Sequence, residues 1–235
     1  NQIPNGKSPI ALAFLNESNN AEYIFYKDYT KQQLETIYPT IEENDIFIFG
    51  SFFSINASER NRVKKLARKS LENGAIIYYD PNFRKTHNEE LSELKPTIYE
   101  NISFSNIVRG SDEDFFNIFG EKNIDSVYSK IADFCPNLIY TAGEKGVYLR
   151  TKKIRKTYPT PNIFTVSTVG AGDSFNAGII YGLVKLDIKK IELDSLPEEK
   201  WDLIIKYATN VCQSYENYIS KEFAIEIANK EIDIE

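Results

Sequence analysis

TVSTVGAGDSFNAGIIYG, residues 165–182, opens on the tail of a β-branched run, passes through Gly170-Ala171-Gly172-Asp173 and continues into a helical pattern. A strand that turns through glycines into a helix is the repeating joint of an α/β sheet. Gly170, Ala171 and Gly172 carry little or no side chain, so an outside group can approach their backbone closely. The helix that follows offers N–H groups with no partner inside it and the positive end of its dipole, which together suit an anion such as phosphate. Asp173 stands at the same spot. A carboxylate beside a phosphate has one obvious task, to take the proton from a hydroxyl that attacks the phosphorus. The plainer reading is an ordinary strand-to-helix turn with Asp173 as its cap.

The longer pattern, from Ser167 to Gly178, resembles the second signature of the PfkB (ribokinase-like) sugar kinases. The resemblance implies that Gly170, Ala171 and Gly172 form an anion hole, that Asp173 is the catalytic base and that Asn176 lies toward the nucleotide. One residue departs from the family pattern: Ser167 stands where the family usually has Asp.

Composition sets the outer limits. The chain has 235 residues, 42% of them hydrophobic, enough for a real core. A net charge of −6 with no basic block argues against a nucleic-acid surface. No apolar run approaches membrane-spanning length and no signal peptide is visible, so no membrane partner and a cytoplasmic location are expected. Cys135 and Cys212 are isolated, without metal-ligand spacing, and read as free thiols in a reducing compartment. His87 is the only histidine and falls in a polar stretch, which leaves little room for Ser-His or Cys-His catalysis. The sequence contains no methionine.

In chain order, residues 9–16 and 22–27 read as two strands around a polar turn, a β-hairpin. Its aromatics Phe14, Tyr23, Phe25 and Tyr26 suit a core. The resemblance gives another role, a lid over the sugar, with Tyr26 and Lys27 on the sugar side; Lys27 stands where the fructokinase branch carries Arg. A short helix is expected over 30–38 and a buried strand over 45–50. A helix over 58–73 is capped by Ser58, buries Val63, Leu66, Ala67 and Leu71, and solvates a basic face that includes Arg60. Strands follow at 75–79, 103–108, 137–142, 147–150 and 154–158, and helices at 171–186 and 198–218. This rhythm predicts a doubly wound, mostly parallel sheet flanked by helices, whose ligands sit beyond the carboxyl ends of the strands.

Three motifs fall at those ends. Asp80-Pro81-Asn82-Phe83-Arg84 is turn-like by composition, and resembles the family's D-x-N-x-R segment, which puts Asp80, Asn82 and Arg84 near the sugar. Ser111 reads as a helix cap with acids in the first turn. In the family this place holds N-x-x-E, which organises metal and phosphate, so the resemblance puts Ser111 near the nucleotide and Asp114 near a metal. Thr141-Ala142-Gly143-Glu144-Lys145-Gly146 is an ordinary glycine turn by itself; the resemblance lays Thr141, Gly143 and Gly146 along ATP.

A single ribokinase-like domain over 1–235 is expected, with residues 9–27 as a small β lid and the family's opening βαβ segment missing. The implied reaction is ATP- and Mg2+-dependent phosphorylation of a primary hydroxyl of a small sugar, closest to fructokinase, with K+ as a further cofactor and a homodimer through the lid. A sugar-acid kinase of the 2-keto-3-deoxygluconate type, and a non-catalytic nucleotide- or sugar-binding homologue, stay open beside it.

Overall fold

The structure is a computed structural model, and it describes residues 10–15, 21–26, 38–160 and 170–211, together with the helical residues Glu222 and Ile225. The chain divides into two compact units. One comprises Asn1–Pro39, Ile163–Ile179 and Lys206–Glu235; the other comprises Thr40–Asn162 and Ile180–Ile205.

In the first unit, β1 (Ile10–Leu15) and β2 (Ala21–Tyr26) pair antiparallel, with Ile10 opposite Tyr26 and Leu12 opposite Ile24. The hairpin expected from the alternating pattern is present. Period two places Ile10, Leu12, Phe14, Ile24 and Tyr26 on one face, and each of these side chains is exposed, from 41% at Leu12 to 59% at Tyr26. Phe14 and Tyr26 are therefore surface residues of this hairpin and not core. The side chains of Tyr23 and Phe25, and the helix expected over 30–38, lie outside the described residues, apart from Tyr38.

The second unit is built on a six-stranded mixed sheet in the order β3 (Ile46–Gly50), β4 (Ile76–Asp80), β5 (Ile107–Ser111), β6 (Leu138–Thr141), β7 (Val147–Arg150), β8 (Arg155–Tyr158). The first four strands are parallel; β7 runs antiparallel to both of its neighbours, β6 and β8. Helices α1 (Ser51–Ile55), α2 (Arg60–Glu72), α3 (Leu91–Phe104), α4 (Asp112–Phe119) and α5 (Ile124–Ile131) fill the connections. Strand β4, IIYYD, is buried at every position, as befits a strand covered on both faces. One face contributes Tyr79, Val108, Leu138 and Tyr140 to a core with Ile98, Ile102, Phe115 and Val127 from the helices. The opposite face, with Tyr78, Ile107, Ile139 and Leu149, is also buried. The helix α7 (Glu198–Val211) begins in this unit, where Asp202 accepts hydrogen bonds from Tyr158 Oη at 2.9 Å and Lys156 Nζ at 2.8 Å. The expected mostly parallel sheet with flanking helices is what forms.

Four local expectations are corrected. Residues 103–108 are not one strand: α3 runs through Phe104, and β5 starts at Ile107. The break is made by Asn106, whose side chain accepts from the Ile77 N–H at 2.8 Å and ties the loop to β4. Ser58 does not cap α2, because its N–H and hydroxyl both turn to Asn56 Oδ1, at 2.9 and 3.0 Å. The buried stripe of that helix is Val63, Ala67 and Ser70, while Leu71 is exposed. Arg60 is no part of a solvated face. It donates to Asn101 Oδ1 at 2.6 Å and Ser54 O at 3.2 Å, and pairs with Glu100, which Lys64 also meets. Burial alone would raise the Glu100 carboxyl; Arg60 and Lys64 outweigh it and hold it below its ordinary range.

Candidate active site

Helix α6 runs Ala171–Lys185. Ser174 N–H donates to Gly170 O at 2.9 Å, which makes Gly170 the cap and puts Ala171, Gly172 and Asp173 in the first turn of the helix. Gly170 holds φ +79°, a conformation in which a Cβ is strained. Gly172 is not among the positive-φ glycines; it lies within the helix, so the turn's backbone demand falls on Gly170 alone. Asp173 is exposed, whereas Ser174, Phe175 and Asn176 are buried. Asn176, expected toward the nucleotide, thus has its side chain inside the fold. The helix start is held firmly: a Cβ added at Gly178 would come within 2.4 Å of Ala208 Cα, so α6 and α7 touch backbone to backbone there. Ser167 and Lys27 lie outside the described residues.

In the second unit the carboxyl ends of β4, β5 and β6 bring three polar side chains together. Period two in a parallel sheet sets Asp80, Arg109, Ser111 and Thr141 on the same face. The Arg109 guanidinium donates through Nη1 to Asp80 Oδ2 at 2.9 Å and through Nη2 to Thr141 Oγ1 at 2.8 Å. Asp80 Oδ1 accepts from the Asn82 N–H at 3.1 Å. Burial works against the charge on Arg109, but Asp80 and the other groups around it raise its pKa further. Two non-glycine residues at neighbouring strand ends, Ser51 after β3 and Asn82 after β4, hold left-handed φ of 53° and 39°. Such strain of about 1–3 kcal/mol each gathers at ligand sites. Arg84 is exposed on the same segment.

Ser111 and Asp114 form a capping box on α4. Asp114 N–H donates to Ser111 Oγ at 3.1 Å, and Ser111 N–H and Oγ donate to Asp114 Oδ2 at 2.7 and 2.6 Å. Burial pushes the Asp114 carboxyl up, and Asp80 adds to the effect. Among the described residues no group of three His, Cys, Asp or Glu side chains is set to hold a metal. Gly143 and Gly146 frame the turn from β6 to β7, with φ of +52° and +107°. A Cβ at Gly146 would sit 2.4 Å from Tyr158 O, whereas at Gly143 it would meet nothing within 4 Å. Gly146 is thus required by the sheet, and Gly143 faces open space. The sole histidine, His87, is stacked on Phe52 with ring centroids 3.9 Å apart, and Cys135 is buried with its thiol pushed up to about 12 by that burial.

The sequence profile of the pfkB family of carbohydrate kinases matches residues 1–211. The chain belongs to that family. This pfkB-family chain is 29% identical over 185 residues to fructokinase-2 of Solanum lycopersicum, covering 76% of the chain and 56% of the relative. It is 27% identical over 213 residues to the probable fructokinase-2 of Arabidopsis thaliana, covering 88% of the chain and 63% of the relative. The chain thus spans little more than half the length of these relatives. Its fold matches the crystal structure of fructokinase from Vibrio cholerae O395 bound to fructose, ADP and calcium ion, with a TM-score of 0.75 at 20% identity, over 93% of this chain and 70% of that one. It likewise matches fructokinase with bound ATP from Xylella fastidiosa, with a TM-score of 0.76 at 16% identity, over 97% and 76%.

Within this pfkB-family fold, Arg109 is the site residue that sequence reasoning passed over. Its signal was present: an arginine inside the short strand IVRGS must either be exposed or find a buried partner. The strand expected over 103–108 stopped one residue short of it.

Proposed function

We propose that the full-length protein is an ATP- and magnesium-dependent sugar kinase that phosphorylates a primary hydroxyl of fructose. The observation that carries the reading is the start of α6: a left-handed Gly170 as cap, small residues in the first turn, and an exposed Asp173 in that same turn. Family membership and the names of the plant relatives support the class of substrate. Asp173 takes the proton of the attacking hydroxyl as the new O–P bond forms and the bond to the leaving ADP oxygen breaks. The N–H groups of Ala171 and Gly172 hold the charge that gathers on the transferred phosphoryl oxygens. Thr141 and Gly143 line the nucleotide, and Asp80, Asn82 and Tyr26 the sugar. Magnesium, with Asp114 as the residue assigned to its side of the site, would supply positive charge to the transferring phosphates; a monovalent cation such as K+ is an optional addition.

The exposed apolar face of the hairpin supports a further part of the reading, a homodimer in which two such faces meet. A cytoplasmic location fits the free thiol of Cys135, and among the described residues no helix is long and apolar enough to cross a membrane. Exposed Arg84 supports a second reading, in which a guanidinium receives the carboxylate of a sugar acid. Coupled ADP release by the full-length protein, across hexoses, pentoses and sugar acids, decides between them. Fructose is expected to give the highest kcat/KM. Preference for 2-keto-3-deoxygluconate would move the assignment to the sugar-acid branch, and no ADP release with any acceptor would remove the kinase reading.

A further inference from the structure

Arg109 joins two segments to which the proposed function gives different ligands. It stands in β5, the middle of three parallel strands, and its side chain reaches β4 on one side and β6 on the other. Backbone ladders already join these strands, and a buried ion pair adds little to stability once desolvation is counted. The guanidinium does something the ladders cannot: it fixes the orientation of two side chains at once. Thr141 Oγ1 accepts from Nη2, which turns its own proton away from the guanidinium. The protein acceptor nearest to that proton is Gly110 O at 3.4 Å, at the limit of a hydrogen bond. The hydroxyl is thereby a donor suited to a phosphate oxygen. On the other side, the same cation donates to Asp80 Oδ2 at 2.9 Å and fixes the direction of that carboxylate, and Asp80 in turn holds the Asn82 N–H in its left-handed turn.

We propose that Arg109 is a positioning residue that couples the two substrates, so that nucleotide at Thr141 and sugar at Asp80 and Asn82 each raise the affinity for the other. Shifting one end of a planar, two-armed group moves the other end with it. A lysine ammonium has donors enough for both but lacks the rigid fork that ties one arm to the other. The coupling rests on the sugar-kinase reading above and must be equal in both directions, because linkage of two binding free energies is reciprocal.

The test uses the full-length protein and calorimetric titration with fructose and a non-hydrolysable ATP analogue, each alone and each in the presence of the other. The wild type should bind both, with each ligand tightening the other by about fivefold or more, the lower end of typical couplings. In Arg109→Lys and Arg109→Met the ratio should fall to about one, with KM for both substrates raised. A structural ion pair alone would lower the melting temperature and leave the ratio intact, and that result overturns the proposal. So does a wild type that binds both ligands independently. A wild type that binds neither ligand removes the kinase reading itself, a different failure. If the arginine variants do not fold, Thr141→Val decides: it removes one acceptor without stranding a charge, and it should weaken the nucleotide and abolish coupling. A Thr141→Val protein that keeps the wild-type ratio overturns the proposal equally.

Discussion

Asp173 and Gly172 are neighbours in one helical turn, yet a substitution at each tests a different kind of chemistry. Asp173→Asn keeps size and polarity and removes only the ability to take a proton. Turnover is expected to fall by about 10²- to 10⁴-fold while nucleotide affinity stays, as steady-state kinetics and equilibrium binding will show. Wild-type turnover in that variant would reduce Asp173 to a first-turn acid that complements the dipole. Gly172 has no positive φ to protect, and inside a helix alanine is favoured over glycine by about 1 kcal/mol. Gly172→Ala should therefore melt at or above the wild-type temperature while losing turnover by about 10²- to 10³-fold, the scale of one lost donor in an oxyanion site. An active Gly172→Ala would show that phosphate does not pass there. Gly170→Ala makes the contrast, because its φ of +79° adds a backbone cost of about 1–2 kcal/mol to any catalytic one.

The turn from β6 to β7 separates structural from functional glycines within one element. Gly146→Ala drives a Cβ against the Tyr158 carbonyl and forces β8 off β7, so a clear loss of melting temperature is expected. Gly143→Ala meets no atom and carries only the left-handed penalty, about 1–2 kcal/mol. Gly143→Val is thus the cleaner probe of nucleotide: weakened ATP binding with sugar binding retained is expected in titration, and equal loss of both would return Gly143 to a plain turn. These distinctions were beyond the sequence, where the two glycines look alike. Strands with a single dominant pattern were legible, as in the hairpin, in DIFIFG and in IIYY. The helices α3 and α5 were not, since Pro96 interrupts one and the other is only eight residues long. At the site, motif residues stood out because turns and caps leave local signatures. Arg109 did not, because its meaning lies in two residues on other strands, and its own neighbours in sequence say nothing of them. Arg60 eluded reading for the same reason: its partners Ser54 and Asn101 come from α1 and α3.

For the molecule as a whole, the hairpin makes the sharpest demand. Five large apolar side chains on one face of a two-stranded sheet are costly to leave in water, and pairing with a second copy would cover them. Phe14→Lys and Ile24→Lys are expected to shift the full-length protein from dimer to monomer in analytical ultracentrifugation, with little effect on the melting of the six-stranded sheet. A monomeric wild type would leave the face for another role. The order of that six-stranded sheet has a consequence during translation. Its strands lie side by side in the sequence in which they are made, so each strand that leaves the ribosome meets an edge already completed by its predecessor. Among the described strands of this sheet, none waits for a later one to fill a gap between neighbours. The growing edge, a usual route to misassembly of parallel sheets, is exposed only for the time needed to synthesise one crossover. A nascent chain arrested far enough beyond Arg150 for β6 and β7 to have left the ribosome should already protect β3 to β6 from protease.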